Sequence, residues 1–358
     1  MSRSSHHDPS TFNTEMYPLW YATYALLNDA YTRTSLICAT LADQLLPSGL
    51  RNKVVLDVGC GYGTTTQVIA GFAPFRILAI DSSEPITRLM RHVCSGDDYP
   101  LLRNKQAQSA LGKHFSAVRE HLRRYRAGFE GSVFCRNAGK LDIEARSSFD
   151  LGSIEYKFEA IIGNHFLHWP IGTLRDKTPP QDERAEHRIQ AIADALSPIA
   201  HTLVRGGIAV FSTMESFVED DIHPDREEDI MRHAVREHPA LKRFEQIALR
   251  FVQEQAGLTR GVPATRPKII QLGSLGVAAE RASLHLEQVQ YHELVEYCDP
   301  LEAALTGTPM LLGWANLPWE KLEHIMQEAY HETKGQITAA EYYEPIRVHN
   351  YTFAFRKI

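Results

Sequence analysis

Several features are scarce in this chain of 358 residues, and each scarcity argues against a class of protein. No apolar run approaches the roughly 18 residues of a membrane-spanning helix, and no signal-peptide pattern opens the sequence. We therefore expect no membrane partner and a cytoplasmic location. The five cysteines are scattered without a CxxC pair, which indicates reduced structural thiols and no metal site.

Excess positive charge is also missing. The chain has 38 Lys and Arg against 44 Asp and Glu, which gives a formal net charge of −6. Because a nucleic-acid-binding face is basic, this balance argues against nucleic acid as the main partner. The apolar share of 44% and the charged share of 23% are ordinary for a globular protein, and the length would allow two domains.

The most informative stretch runs from Val54 to Ser83 and reads VVLDVGCGYGTTTQVIAGFAPFRILAIDSS. It has the order of a strand, a glycine-rich turn, a helix and a second strand, and the two strands end in Asp57 and Asp81. Glycine at alternate positions of the turn permits positive φ and lets the backbone approach a ligand closely. A carboxylate at the tip of the second strand can accept both hydroxyls of a ribose. The stretch therefore predicts a Rossmann-like α/β unit with a nucleotide-type ligand.

The spacing D-x-G-x-G-x-G differs from the GxGxxG of dinucleotide folds and resembles the first motif of the class I S-adenosylmethionine-dependent methyltransferases. Asp81 matches the ribose-binding acid of that family. The resemblance implies S-adenosyl-L-methionine (SAM) as cofactor and S-adenosyl-L-homocysteine (SAH) as its product. It also implies that Gly59 and Gly61 face the amino-acid end of SAM and that Asp57 orders the loop. A Rossmann unit that binds another nucleotide is the alternative.

Two later stretches extend the resemblance. After a strand predicted at Ser132 to Arg136 come Asn137 and Ala138, where the family commonly places an Asp-Ala pair that contacts the adenine amino group. An amide oxygen accepts the same hydrogen bond without charge, and Asp142 is the reserve candidate. The next predicted strand ends at Asn164, and the set N-x-x-L-H-W that follows it resembles small-acid methyltransferases of the trans-aconitate and juvenile-hormone-acid type. The cofactor-binding residues predicted in this way are Asp57, Gly59, Cys60, Gly61, Gly63, Asp81, Ser82, Asn137, Ala138 and Asn164.

The carboxyl ends of the fourth and fifth strands are where cofactor and acceptor meet in an open parallel sheet. His168 is the first candidate for a general base, because a histidine of near-neutral pKa can take a proton from an alcohol or phenol. A packed histidine in the pocket wall is the alternative for the same residue. His165 and Glu215 are the further catalytic candidates.

Aromatic residues supply the candidates for substrate binding. The helical pattern near the N-terminus carries Tyr21 and Tyr24, and Trp169 follows the fourth strand. An aromatic stripe at helical spacing usually packs in a core. In the resembled family, however, an N-terminal helix often lies over the cofactor, so Tyr21 and Tyr24 are expected at the pocket. Trp169 is expected either to stack on the substrate or to cover the cofactor.

The remaining patterning predicts the domain organisation. Residues 1–14 are polar and aperiodic and are expected to be flexible, and residues 15–47 form N-terminal helices divided near Thr32 to Thr34. Residues 15–215 and 284–358 form the predicted core of the fold. Residues 216–283 are predicted to form a helical lid that shapes the substrate pocket, with a dimerisation element as the alternative.

A closing strand is predicted at Tyr351 to Arg356, where aromatic residues strictly alternate with smaller or polar ones. The resemblance makes it the antiparallel seventh strand of a doubly wound, Rossmann-like sheet of order 3-2-1-4-5-7-6. We therefore expect a methyltransferase that transfers the methyl group of SAM to a small, biosynthetic acceptor by in-line displacement. A macromolecular acceptor (RNA or protein), a non-catalytic SAM-binding module and a homodimer stay open as alternatives.

Overall fold

A mixed sheet with helices on both faces forms the centre of the chain. The structure is a computed structural model that describes residues 9–27, 29–95, 99–166, 184–213, 217–218, 236–256, 270–305 and 317–358. The strands are β1 (Val54–Val58), β2 (Arg76–Asp81), β3 (Lys140–Ala145), β4 (Phe158–Gly163), β5 (Leu203–Thr213), β6 (Phe217–Val218), β7 (Arg236–Glu237), β8 (Ile270–Gln271), β9 (Leu284–Glu296) and β10 (Ile346–Lys357).

Helices fill most of the described residues between the strands. They are α1 (Pro9–Leu27), α2 (Asp29–Leu45), α3 (Thr64–Gly71), α4 (Glu84–Ser95), α5 (Lys105–Leu111), α6 (Phe115–Glu130), α7 (Val133–Arg136), α8 (Arg184–Thr202), α9 (Pro239–Ala256), α10 (Leu272–Arg281), α11 (Trp319–Gln336) and α12 (Ala339–Tyr342). Within the described residues, no helix combines the length and apolar character needed to cross a bilayer.

The main sheet has the strand order β3-β2-β1-β4-β5-β10-β9. β1 to β5 run parallel, whereas β10 is antiparallel to both β5 and β9. Because β9 and β10 are the sixth and seventh long strands, this is the order 3-2-1-4-5-7-6, and the predicted fold class is confirmed. β7 pairs with the start of β10, and β6 pairs with β8 in a separate small sheet.

Apolar side chains on both faces of the sheet hold the two helical layers. α2 and α3 pack on one face, over Val55, Ile162 and Val210. α8 and α10 pack on the other face, where Phe211 and Phe353 are fully buried. Strands that are apolar on both sides are what a sheet covered on both faces requires.

A third apolar cluster joins α1, α6, α9 and α11. Its fully buried members include Met16, Leu19, Phe244 and Ile325. α9 belongs to the segment 216–283 that was predicted to form a lid, yet it packs on α11, which lies between β9 and β10. α10 belongs to the same segment but packs on α8 and β9. The lid therefore stays a prediction for the segment as a whole.

Two predicted boundaries near the N-terminus differ from the structure. α1 begins at Pro9, so this helix extends into the stretch 1–14 for which the sequence predicts no periodic structure. The break predicted near Thr32 to Thr34 is wrong, because α2 continues through these residues and the helices divide between Leu27 and Asp29. Thr34 faces the protein interior and is fully buried, so it is a packing residue of α2.

The strand predicted at Ser132 to Arg136 is also wrong. This segment is the single helical turn α7, which Ser132 caps by accepting a hydrogen bond from the Cys135 N–H. Only Phe134 of the run is buried, so the segment has one apolar side, as a surface helix does. The third strand is the following segment, Lys140–Ala145.

A buried hydrogen-bond network fastens α2 to the ends of β4 and β5. Asn164 Nδ2 donates to Tyr31 O at 3.0 Å and to Ser35 Oγ at 2.8 Å, and Asn164 Oδ1 accepts from Ser212 Oγ at 2.5 Å. Ser35 Oγ also lies 3.0 Å from Thr65 Oγ1 of α3. Because these groups are buried, water cannot replace a hydrogen bond that one of them loses.

We expect Asn164→Ala to lower the free energy of unfolding by about 3 kcal/mol, because it removes three buried hydrogen bonds, to Tyr31 O, Ser35 Oγ and Ser212 Oγ. Urea denaturation followed by circular dichroism measures this change. Asn137→Ala is the matched control, since it makes the same truncation at an exposed residue and should change stability by less than about 0.5 kcal/mol. Equal effects of the two substitutions would contradict the anchoring role of Asn164.

Candidate functional site

The turn between β1 and α3, residues 59–63, has the backbone that its glycines predict, and it is called the glycine loop below. Gly59, Gly61 and Gly63 have φ angles of 69°, 57° and 106°. All three values lie in the region that residues with a Cβ rarely adopt. A Cβ atom placed on Gly59 would lie 2.9 Å from the Phe166 ring, and one placed on Gly61 would lie 2.9 Å from the Tyr21 ring. Backbone conformation and neighbouring rings together require glycine at these positions.

Three backbone N–H groups of the glycine loop donate hydrogen bonds to other atoms of the protein. The Cys60 N–H donates to Ile80 O at 2.9 Å, and the Gly63 N–H donates to Cys60 O at 2.9 Å. The Gly61 N–H donates to Asp81 Oδ2 at 3.1 Å. Asp81 at the end of β2 therefore holds the loop, and these three N–H groups are already engaged.

Two carboxylates lie beside the loop without an ion pair among the described residues. Asp57, at the end of β1, is fully buried; one oxygen accepts from the Thr66 hydroxyl, and Oδ1 has no hydrogen-bond partner in the described part of the chain. Burial raises the pKa of Asp57 to about 7, against the lowering effect of Thr66, and the charge of Asp81 adds to the rise. Burial raises the pKa of Asp81 too, although the N–H groups of Ser83 and Gly61 oppose it.

Tyrosine rings from three segments cluster against the glycine loop, with Tyr21 at the centre. Its ring centroid lies 6.3 Å from Tyr17, 5.8 Å from Tyr31 and 5.9 Å from Tyr62. The Tyr21 hydroxyl donates to the Tyr31 hydroxyl. Burial is the largest cause that raises the pKa of both phenols, so both stay neutral at physiological pH.

Of these four rings, only Tyr21 was predicted at the site from the sequence. Tyr17 precedes Tyr21 by one helical turn, and Tyr62 lies inside the glycine loop, so both were predictable from the sequence. Tyr31 was not predictable, because its position depends on where α1 ends and α2 begins.

The chain that follows β4 contacts the same cluster. His165 has a φ of 52°, its Nε2 lies 3.1 Å from Thr34 Oγ1, and its ring centroid is 4.9 Å from that of Tyr31. The His165 N–H donates to Ser212 Oγ at 2.8 Å. The structure thus brings this predicted catalytic candidate to the tyrosine cluster, in a buried position and bonded to α2.

Helix α6 also holds the glycine loop, through contacts that no motif indicates. The Tyr125 hydroxyl donates to Gly63 O, and the Tyr62 hydroxyl lies 3.0 Å from His121 Nε2. A Cβ atom at Gly63 would lie 2.4 Å from the Tyr125 hydroxyl. The third glycine is therefore required by packing against α6, between residues far apart in sequence.

The adenine contact predicted at Asn137 and Ala138 is wrong. β3 begins beside the first residue of β2 and ends beside Asp81. Asn137 and Ala138 precede β3, so they lie at the opposite edge of the sheet from Asp81, and both are exposed. The reserve candidate Asp142 lies near that opposite edge and forms an ion pair with Arg76 at 2.6 Å. The residues that follow β3 lie at the edge where Asp81 ends β2.

The other predicted residues differ in position. Both amide protons of Asn164 are donated to α2, so its predicted contact with a cofactor stays a prediction. Cys60 is buried in the loop, Ser82 is exposed after β2, and Tyr24 is half-buried on α1. Outside the described residues lie His168, Trp169 and Glu215.

No protein-family model and no curated protein matches the chain, whereas solved structures do. The YcgJ protein from Bacillus subtilis aligns with a TM-score of 0.45 at 10% identity, over 91% of this chain and 98% of that one. A cyclopropane synthase from Mycobacterium tuberculosis gives 0.41 at 14%, over 89% and 82%. Magnesium protoporphyrin IX methyltransferase from Synechocystis PCC 6803, with bound SAH, gives 0.38 at 11%, over 92% and 83%. At such low identity, function has to be judged from the residues of the site.

The buried carboxylate of Asp57 gives a pH dependence of stability whose sign follows from its raised pKa. Between the ordinary value of 3.8 and about 7 the folded state holds a proton that the unfolded state has lost, so stability falls as pH rises through this window. Asp57→Asn removes the titration and keeps an acceptor for Thr66. At pH 8.5 we expect the free energy of unfolding of Asp57→Asn to be higher than that of wild type by on the order of 3 kcal/mol. Near pH 4 we expect this difference to disappear.

Urea denaturation of the ligand-free protein across this pH range measures the difference. Asp142→Asn, at a half-buried and ion-paired carboxyl, is the control and should give no comparable gain at high pH. A difference between Asp57→Asn and wild type that stays constant with pH would contradict the assignment.

Gly63→Ala should lower the free energy of unfolding by about 2 kcal/mol, because alanine is strained at the positive φ of this residue and its Cβ would meet the Tyr125 hydroxyl. Thermal and urea unfolding measure this effect. Gly71→Ala is the matched control: nothing lies within 4 Å of its Cβ position at the end of α3, so stability should stay the same or rise slightly. Adding Tyr125→Phe to Gly63→Ala should restore part of the loss, and full additivity of the two changes would argue against the contact.

Proposed function

We propose that this chain is a SAM-dependent methyltransferase that acts on a small molecule. The observation that carries the proposal is the buried, unpartnered Oδ1 of Asp57 beside the glycine loop. Buried polar atoms in proteins are almost always hydrogen-bonded, so an orphaned acceptor indicates a missing donor. The ammonium group at the amino-acid end of SAM is such a donor.

The alternative of a dinucleotide ligand fits this loop less well. A pyrophosphate binds to free N–H groups at a helix N-terminus. Here the N–H groups of Cys60, Gly61 and Gly63 are engaged, and Asp57 accepts hydrogen bonds from Thr66 at the start of α3. Two carboxylates beside the loop would also repel a pyrophosphate and attract a cation. These features favour a cationic ligand such as SAM.

The residues of the site suit the parts of this cofactor. Bound there, SAM would supply a methyl group activated by a sulfonium for displacement by a nucleophile. Asp81 would accept the ribose hydroxyls through its remaining lone pairs, and Asp57 would hold the ammonium. Tyr21 and Phe166 lie against the loop and keep water from it. Holding two reacting groups in line in a dry pocket is worth on the order of 7 kcal/mol or more.

The finer parts of the proposal concern the acceptor. A base is needed for an alcohol or phenol but not for a carboxylate, and the candidates are His168, His165 and Glu215. We further propose that residues 216–283 form a lid over the site and that the acceptor is small and biosynthetic. The protein would be located in the cytoplasm, and a homodimer is an open alternative. A non-catalytic SAM-binding module would bind the cofactor equally well and would be distinguished by the absence of turnover.

Ion pairs on α6 engage part of the basic stretch that a macromolecular acceptor would need. Arg123 and Arg124 both form ion pairs with Glu120, at 2.8 and 2.9 Å, and Arg126 pairs with Glu130 at 2.8 Å. Two acids thus engage three of the four arginines of this helix, and a net charge of +2 remains on it (four Arg against two Glu). A phosphate backbone or an acidic protein surface would have to displace these acids.

Calorimetric titration of SAM and SAH into the protein tests the proposed function. We expect micromolar binding by wild type and at least a roughly tenfold weakening in Asp81→Ala, because one carboxylate that accepts two hydroxyls is lost. Asp142→Ala removes a carboxylate at the opposite edge of the sheet and should leave binding unchanged. No binding of either ligand by folded wild type, or binding of NAD in their place, would overturn the proposal.

A further inference from the structure

The two outer strands of the main sheet differ in how they are protected from pairing with another chain. β3 is six residues long, and its side chains Lys140, Asp142 and Glu144 form ion pairs along that edge. β9 has 13 residues and, within the described part of the chain, pairs with β10 alone. A long outer strand leaves a row of backbone N–H and C=O groups open to another strand unless charge, proline or a bulge protects it. β9 is therefore the edge of the sheet that can accept a further strand.

The sequence of β9 is nearly symmetrical about Gln290. Residues 286–294 read LEQVQYHEL, so identical or similar residues lie at equal distances on either side of Gln290. Glu287 and Glu293 bound a stretch without acid, lysine or arginine, residues 288–292. When two identical strands pair antiparallel about a central residue, each residue faces the one at the same distance on the other side of the centre. A strand with such a sequence is complementary to a second copy of itself.

Arginines of β10 and a bulge define the two ends of this stretch. Arg356 forms an ion pair with Glu287 at 2.7 Å, and Arg347 forms one with Glu293. Because each acid has its own arginine, facing acids of two copies would bring no unbalanced charge to the joint. The register between β9 and β10 shifts at Glu287, so a bulge ends the regular pairing there. The part of β9 that is available to a second copy is therefore residues 288–292.

Apolar side chains lie on one face of this stretch and would meet across the joint. Val289 and Tyr291 are 37% and 50% exposed, although they lie beside Phe353 and Tyr351 of β10. In the antiparallel arrangement Val289 of each copy faces Tyr291 of the other. Pairs of an aromatic and a β-branched residue stabilise neighbouring strands. The apolar row that crosses β10 and β9 would thus continue into the second copy.

The other face of β9 presents further apolar surface at the same edge. An open cavity of about 350 Å³ lies between α2 and β9, and it is lined by Leu36 and Ile37 of α2 and by Gln290 and His292 of β9. Leu36 is 52% exposed. Antiparallel pairing in one sheet has its two-fold axis perpendicular to that sheet, so α2 of both copies would lie on the same side of the joint. Leu36 of one copy would then cover the cavity of the other.

We propose that the chain forms a homodimer in which β9 of one copy pairs antiparallel with β9 of the other, so that one sheet runs through both. Gln290 lies on the two-fold axis, and residues 288–292 supply the new backbone hydrogen bonds. The contact is isologous, because Leu36, Val289 and Tyr291 are contributed by both copies. The glycine loop follows β1, which is four strands from β9, or about 19 Å at the usual spacing. The dimer therefore leaves the glycine loop of each copy uncovered, and the inference does not depend on the proposed function.

Size-exclusion chromatography with light scattering tests the dimer. At micromolar concentration we expect wild type to have twice the chain mass of 40.5 kDa. Val289→Lys combined with Tyr291→Lys places lysines of the two copies opposite each other and should weaken the dimer at least about tenfold. Val133→Lys combined with Phe75→Lys is the matched control. It replaces a valine and an aromatic residue that are 38% and 64% exposed beside β2 and β3, and it should leave the mass unchanged.

Cysteine cross-linking tests the register independently of the lysine variants. Gln290→Cys places two thiols opposite each other on the axis, so oxidation with copper phenanthroline should link the copies by a disulfide. Gln288→Cys is the matched control, because residue 288 faces His292 and its two thiols lie about 14 Å apart along the strands. Wild type, with its five native cysteines, sets the background, and circular dichroism checks folding. A monomeric wild type, a dimer unaffected by the lysine pair, or equal cross-linking of the two cysteine variants would overturn the inference.

Discussion

The buried carboxylate of Asp57, which has no ion pair in the part of the chain that the structure describes, is the constraint on which the rest of the site depends. Removing an ionised carboxylate from water costs several kcal/mol unless partners replace the lost hydration. The Thr66 hydroxyl replaces part of it, but Oδ1 is left without a partner among the described residues, and Asp81 adds repulsion. A fold with a large apolar core can tolerate such a group. A ligand that neutralises it stabilises the folded state by mass action, so binding and folding are linked here.

Packing inside the protein is by itself a cause of the glycine pattern, because each glycine faces an aromatic residue from a different segment. Phe166 follows β4 and lies against Gly59, whereas Tyr21 of α1 lies against Gly61. Tyr125 of α6 occupies the corresponding place at Gly63. Three segments thus converge on one short loop. The motif is usually taken as a signature of cofactor binding, but in this chain it also records how closely the protein's own rings approach the backbone.

Sequence reasoning succeeded where the signal was local and failed where it was not. The unit from β1 to β2 was predictable because an apolar run, a glycine turn and a helix follow one another without interruption. Ser132 to Arg136 misled because a short apolar run does not distinguish a strand from a helical turn, although the capping Ser132 was a sign of the latter. The error displaced the adenine contact to the wrong edge of the sheet. The contact from Asn164 to Tyr31 joins residues 133 positions apart, and no pattern in one sequence reveals such a pair.

Helix α1 ties the properties of the site to the packing of the helical layer. Met16 and Leu19 on this helix are fully buried in the cluster that contains α9 and α11. Tyr21 on the same helix packs against the glycine loop. Because a helix presents residues to its neighbours as a rigid unit, the position of the Tyr21 ring over Gly61 is set by burial elsewhere on α1. The packing of the ring on the loop then depends on α9 and α11 as well, since displacing α1 from that core would withdraw the ring from the loop.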